Sequence, residues 1–316
     1  MKKLFLLMVF ICSMYMQSCE NEQTNSNDDN GYITVSLGFT GEAPNITTTP
    51  MSRANEAKDW YQIQVYSCPI GQSYYTYYGY GFFDNTDNMI INLKEGYQYK
   101  FVADMIVDAS EKIYKFSLIN SGWASIGNSF YFSTDEHIRY LGEGYVYMRQ
   151  PNDTYNRPDV DRFYGITEGY IPSENGSVSI DMKRVAFGAK FVAKDFTSGS
   201  LEIQIDQSPT KKLKCADGNV AEWIVSFDST ASAYINDNYS ENIAVNIIWV
   251  KDDGVRSPIV SENITFVRNH LTTIEFEVKE EAESNSFNIT ANEEWETGDT
   301  ITVGNDGIDT DVNPEV

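Results

Sequence analysis

Histidine is almost missing from this chain: His137 and His270 are the two present among 316 residues. Neither is spaced from another His, Cys or carboxylate as a metal ligand would be, so hydrolytic metal sites and histidine-based triads have little material to work with. Glycine-rich phosphate loops and nucleophile elbows are absent as well. No metal and no cofactor is expected, and nothing in the sequence supports an enzyme. A carboxylate pair of the glycosidase kind stays open only because 46 acidic residues offer many pairings. The spacing Asp309-x-Asp311-x-Asn313 is that of a calcium loop, but Pro314 stands where such a loop needs glycine, and the segment reads as a solvated acidic tail.

Basic residues are scarce too, 23 against the 46 acids, for a formal charge of -23. So acidic a surface repels phosphate backbones, which excludes nucleic acid as an expected partner. Four cysteines occur. Cys12 falls in the leader described next and Cys19 at its end, leaving Cys68 and Cys215 in different halves of the chain. That excludes a disulfide framework and reads as two buried free thiols. Long apolar runs are also missing, since Leu4 to Met16 is interrupted by Ser13 and is shorter than the ~20 residues of a spanning helix.

What is present begins with Met1-Lys2-Lys3, the run LFLLMVFIC and then MQSC, the layout of a bacterial lipoprotein signal. Residues 1–18 are expected to be removed between Ser18 and Cys19, with Cys19 carrying lipid. ENEQTNSNDDN, residues 20–30, has no apolar residue to bury, so 19–31 reads as a tether reaching at most roughly 40 Å at ~3.5 Å per residue.

Thereafter the signal has period two. Ile33, Val35, Leu37 and Phe39 alternate with small polar residues, and the pattern recurs at 61–67, 89–93, 97–107 and 177–182. It returns in the second half at RVAFGAKFVAKDF, LEIQIDQ, EWIVSF, NIAVNIIWV, ENITFV, LTTIEFEVKE, SFNITA and DTITVG. Turn residues separate these runs at Lys94-Glu95-Gly96, Asn175-Gly176, Ser198-Gly199, Asp252-Asp253-Gly254 and Arg268-Asn269-His270. One short helix is expected at TDEHIRYL, capped by Thr134. The fold class is therefore all-β, two antiparallel sandwiches in tandem, with domains at 32–183 and 184–304 and a fraying tail at 305–316.

The run SYYTYYGYGFF, residues 73–83, offers tyrosine faces for a sugar or a partner chain. Strand alternation puts Tyr74, Tyr78, Tyr80 and Phe82 on one face and Tyr75, Tyr77 and Phe83 on the other. A core strand with a partly exposed edge is the first expectation. A contact surface of Tyr74, Tyr78 and Tyr80, helped by Trp60 or Trp123, belongs to the alternative of a monomeric glycan-binding lipoprotein of a nutrient-uptake system.

Taken in order, several features resemble the fimbrillin family of Bacteroidales: Cys19 with its tether, the strand YITVSLGF, Arg53 in SRA, the strand DWYQIQVYS, the junction MKRVAFGAKFVAKDF, the RNH before LTTIEFEVKE, and SFNITANEEW. The aromatic run has no counterpart in that pattern. The resemblance implies a palmitate-bearing lipoprotein precursor anchored in the outer membrane, with two transthyretin-like β-sandwich domains in tandem. It also implies a trypsin-like cut after an arginine that follows the first strand, which maps here onto Arg53 and Ala54. The first strand, carrying Ile33, Val35, Leu37 and Phe39, would then be displaced, and another fimbrial subunit would fill the groove by strand exchange. Host or bacterial surface glycans or proteins are the implied adhesion partners.

Physical chemistry makes that scheme coherent. Burying the four apolar side chains of the first strand contributes at most about 6–12 kcal/mol, against a domain stability of ~5–15 kcal/mol. An emptied groove exposes apolar surface and unpaired backbone, which an added strand repairs. A head-to-tail contact of this kind does not close, and so builds a filament. Of the basic residues between Cys19 and the second strand, Lys58 is the competitor of Arg53, and it is expected to be less accessible because it abuts that strand.

Overall fold

The computed structural model describes residues 31–43, 57–113, 115–117, 123–124, 126–133, 146–147, 155–279 and 287–294. Ser18 and Cys19, the tether before residue 31, Arg53 and Ala54, the helix expected at 134–141, the strand expected at 299–304 and the acidic tail lie outside the described residues. The chain divides into two units, residues 1–32 and 33–316.

The first half carries strands β1 (Tyr32–Gly41), β2 (Trp60–Pro69), β3 (Thr76–Phe83), β4 (Ile90–Lys94) and β5 (Tyr97–Ile106), then the short helix α1 (Ala109–Lys112). After these come β6 (Lys115–Ser117), β7 (Trp123–Ala124), β8 (Ser129–Phe132), β9 (Val146–Tyr147), β10 (Arg162–Tyr170) and β11 (Ser177–Arg184). Eight of them form one sheet in the order β4-β1-β11-β10-β5-β2-β3-β8, while β7-β6-β9 form a small separate sheet. The period-two pattern explains the large sheet. Val35 and Leu37 of β1, Tyr61, Ile63 and Val65 of β2, Tyr99, Phe101, Ala103 and Met105 of β5, and Val178, Ile180 and Met182 of β11 all face one core. The sheet curls around that core, and the Tyr78 hydroxyl on β3 donates to the Asn92 carbonyl on β4 at 2.9 Å.

The second half carries β12 (Ala186–Lys194), β13 (Ser200–Ile205), β14 (Lys211–Lys214), β15 (Val220–Ser226), the helix α2 (Thr230–Ile235), β16 (Ser240–Val250), β17 (Arg256–Val267), β18 (His270–Glu277) and β19 (Phe287–Glu294). Two four-stranded sheets, β15-β12-β18-β19 and β14-β13-β16-β17, sandwich a core built on Phe187, Phe191, Trp223, Ile203, Val245 and Phe266. The all-β expectation holds. All described strand registers are antiparallel except two: β1 runs parallel to β11, and β12 parallel to β18. Each of these strands meets a partner far along the chain, with room between them for the crossover that parallel pairing requires.

Between β11 and β12 stands Val185 alone. Its N–H donates to the Arg162 carbonyl at 2.8 Å and its carbonyl accepts from Phe227 N–H at 3.0 Å. The second face of the large sheet is covered in part: Val102 of β5 and Tyr164 of β10 join the core of the second half, while the outward residues of β1 and β11 such as Ser36, Ser177 and Ser179 stay exposed. Gln62 and Gln64, polar positions of the alternating β2 pattern, are consequently buried. The same face buries Arg162 completely; its guanidinium grips both oxygens of Asp104, at 2.7 and 2.9 Å, and donates to Thr230 Oγ1 of α2 at 2.7 Å. A charge that deep is tolerated only because every side of the fork is paired.

Of the two thiols expected to be buried, both are free, but only Cys68 is fully buried; Cys215 is half-exposed at the 3-10 turn that follows β14. No helix among the described residues is long and apolar enough to cross a membrane.

Candidate functional site

β1 lies inside the large sheet, between β4 and β11. Its register with β11 runs from Ser36 opposite Ser177 to Gly41 opposite Met182. On the other side, Leu37 N–H donates to the Met89 carbonyl at 2.8 Å, and Thr34 Oγ1 donates to Asn92 Oδ1 at 2.9 Å. Ile33, Val35, Leu37 and Phe39 all turn to the core, as the alternation predicts. Only Val35 and Leu37 are fully buried; Ile33 and Phe39 are half-buried, with Phe39 stacked on Tyr61 at 5.5 Å. Partial burial of two side chains lowers the apolar contribution of the strand to roughly 4–9 kcal/mol.

The end of β1 is fastened by charge. Gly41 has φ +90, and a Cβ there would lie 2.6 Å from the Met182 carbonyl oxygen and 2.3 Å from Asp181 Oδ1, so only glycine brings the strand this close to β11. Glu42 follows, its N–H donating to the Met182 carbonyl at 2.8 Å. Its carboxylate takes the Arg184 N–H at 2.8 Å and both terminal nitrogens of Arg268, at 2.6 and 3.1 Å. The Arg268 side chain is 3% exposed and that of Glu42 30%. Arg268 also donates to the Arg184 carbonyl at 2.9 Å and the Asp237 carbonyl at 3.3 Å.

Around this pair lies a cavity of about 470 Å³ lined by Glu42, Asp181, Lys183, Asp237, Arg268 and His270, among others. Lys183 beside Asp237, at 2.5 Å, holds that carboxyl below its ordinary range, by hydrogen bonding first and by charge second. Arg184, next to Lys183 in the chain, forks onto Asp161 at 2.9 and 3.0 Å and reaches Asn269 at 3.0 Å. Asn269 sits at φ +56 in the tight turn that presents Arg268. Neither Glu42 nor Gly41 stood out in the sequence, and Arg268 did so only within RNH. The one available signal was an arginine in a turn of a base-poor chain.

Lys58, the competitor of Arg53, corrects one expectation. Its side chain is 53% exposed, paired with Asp84 at 2.6 Å. What is held is its backbone: the N–H donates to Ser110 Oγ at 2.7 Å and the carbonyl accepts from Ser110 N–H at 3.1 Å. A protease needs free extended backbone, so this pinning disfavours cleavage at Lys58 more than side-chain exposure favours it.

The aromatic run also departs from simple alternation. Tyr66 pairs with Tyr77 and Val65 with Gly79, so Tyr78 is the extra residue of a β-bulge. Tyr78 consequently packs on the main core beside Tyr99 and Phe132, whereas Tyr80 packs with Phe82 and stacks on Tyr131. Tyr74 precedes β3 and is 80% exposed. The three do not form one shared face. β3 is covered by β8, and Gly79 permits the approach, since a Cβ there would lie 2.6 Å from the Tyr131 carbonyl oxygen. Trp60 is half-buried in a satellite core, and the Trp123 side chain lies outside the described residues. Of the contact surface expected of Tyr74, Tyr78 and Tyr80, Tyr74 is exposed and the other two are half-buried, while Tyr131 and Phe132 on the edge strand β8 add exposed aromatic surface beside them. No cluster of three or more His, Cys, Asp or Glu able to hold a metal occurs among the described residues.

No protein-family model and no curated protein matches the chain. Among solved structures it is similar to a candidate cell adhesion protein from Bacteroides uniformis, at 14% identity and TM-score 0.35 over 84% of this chain and 100% of the other. A candidate polysaccharide-binding protein from Bacteroides thetaiotaomicron matches at 10% identity and TM-score 0.39, covering 79% of this chain and 92% of that one. The tip fimbrial protein Mfa3 from Porphyromonas gingivalis, with a C-terminal truncation, matches at 9% identity and TM-score 0.34, covering 84% and 98%.

Proposed function

We propose that this chain is a lipid-anchored cell-surface subunit of the fimbrillin type, organised as two sandwich domains at 32–183 and 184–304, in which β1 is a replaceable strand. The single observation that carries the reading is the seat of β1. It is an interior strand, flanked by β4 and β11, yet only two of its ten residues are fully buried. A strand so placed leaves two hydrogen-bonding edges and an apolar slot when it departs, which a strand from a neighbouring subunit can refill. The segment after it carries Arg53 and Ala54 as the processing point, and Cys19 carries the lipid.

Limited trypsin digestion of the full chain tests this. The expected outcome is a new N-terminus at Ala54 and, once the released segment dissociates, species of higher mass on native gels. Cleavage elsewhere first, or a product that keeps its first strand and stays monomeric, overturns the reading. Radiolabelled palmitate incorporation that is lost in Cys19→Ala tests the anchor.

A second reading, a glycan-binding surface protein, is favoured by one observation: Tyr131 and Phe132 on β8 are 43% and 57% exposed beside Tyr80 and Tyr78. Aromatic faces at a sheet edge suit the apolar face of a sugar ring. Glycan-array binding that falls when both are changed to Ala supports it; an array without signal removes it.

A further inference from the structure

The Glu42–Arg268 contact joins residues 226 apart in sequence, and it ties the tail of a replaceable strand to the second half of the protein. If β1 leaves, Glu42 leaves with it. Arg268 then keeps two neutral main-chain carbonyls and, at 3.6 Å, the carboxylate of Asp237. That carboxylate is 71% exposed and already engaged by Lys183. A guanidinium 3% exposed is thereby left one anion short, and its Nε has no partner even with Glu42 in place. The contact from the neighbouring N–H of Arg184 to Glu42 is lost at the same moment. Arg184 pairs with Asp161 and Lys183 with Asp237, and the carboxylate of Asp181 also lines the cavity, so what the vacated position offers an anion is the buried fork of Arg268 itself and not a net positive field. The cavity beside it gives an incoming group a path.

We propose that Arg268, together with the backbone N–H of Arg184, forms a carboxylate receptor at the end of the β1 seat, filled in this chain by Glu42 and refilled by an Asp or Glu of the strand that replaces β1. This rests on the strand-replacement reading above and adds to it a rule for the occupant. The entering strand is an extended segment of another subunit, apolar at the positions of Val35, Leu37 and Phe39, and acidic just beyond the point opposite Met182. Apolar alternation is common among β-strands and discriminates weakly, whereas a bidentate carboxylate contact on a buried arginine rejects strands that end in a neutral or basic residue.

The test uses the full chain nicked by limited trypsin digestion and a fluorescent peptide of residues 31–43, in its natural form and as Glu42→Gln. Exchange of the peptide into the nicked protein is followed by anisotropy. The natural peptide is expected to bind about tenfold or more tightly than the Glu42→Gln peptide, a difference that collapses in Arg268→Gln protein. Both peptides entering with equal affinity overturns the receptor and leaves strand replacement standing. Neither peptide entering overturns strand replacement itself, and the receptor with it. Should Arg268→Gln fail to fold, the comparison of the two peptides on wild-type protein decides alone.

Discussion

β1 and β12 each run parallel to a strand from the far end of their own half, β11 and β18, and each lies between two neighbours. They differ in what holds them. β12 buries six of nine residues, its Phe187 stacked on Phe266 at 4.4 Å and its Phe191 on Trp223 at 4.8 Å. β1 buries two of ten, neither of them aromatic, has its one ring contact at the half-buried Phe39 on Tyr61, and is fastened at its end by the Glu42–Arg268 pair. The same topological position is thus filled once by a strand wedged in by aromatic packing and once by a strand held by backbone pairing, modest apolar contact and a charged clasp. A clasp and a backbone ladder can be remade by another chain; interlocked aromatic rings resist extraction.

The largest expected effect breaks the anchored side of the comparison. Phe191→Ala is expected to cost about 3–5 kcal/mol by chemical denaturation, whereas Leu37→Ala, in the less tightly filled seat of β1, is expected to cost about 2–3 kcal/mol. Equal losses would mean that the two strands are equally embedded. Hydrogen exchange sharpens the same contrast without mutation: amides of β1 are expected to open at lower free energy than those of β12, and matched protection would contradict it.

The smallest effect concerns pH. Lys183, and to a lesser degree Arg268, hold the Asp237 carboxyl below its ordinary value of 3.8. A carboxyl depressed in the folded state stabilises it above 3.8, and that contribution is lost as pH falls through the folded value. The melting temperature of Asp237→Asn is therefore expected to lie slightly below wild type near neutrality and to converge with it below about pH 3.8. A gap independent of pH would show that Asp237 does not act through its charge.

Much of the fold was legible because one face of most strands is core and the other is not. The alternation at Ile33 to Phe39, at Val178 to Met182 and through β16 reads directly as inward and outward positions. β10 escaped notice for the converse reason: its first four residues, Arg162 to Gly165, are all buried, so no period of two survives. The bulge at Tyr78 was hidden as well, because an extra residue on one strand is defined only by its partner. Of the candidate site, the apolar face of β1 was visible and its fastening was not.

The sequence by itself determined an all-β protein, poor in histidine and strongly acidic, with a first strand of known inward face. Those properties are local or compositional, and each follows from side chains a few residues apart. Only the tertiary structure decided that β1 is inserted parallel to β11, that Val102 and Tyr164 of the large sheet join the core of the second half, and that Glu42 meets Arg268. Each of these joins residues remote along the chain, where nothing local constrains the pairing and only the closure of sheets around two cores selects it.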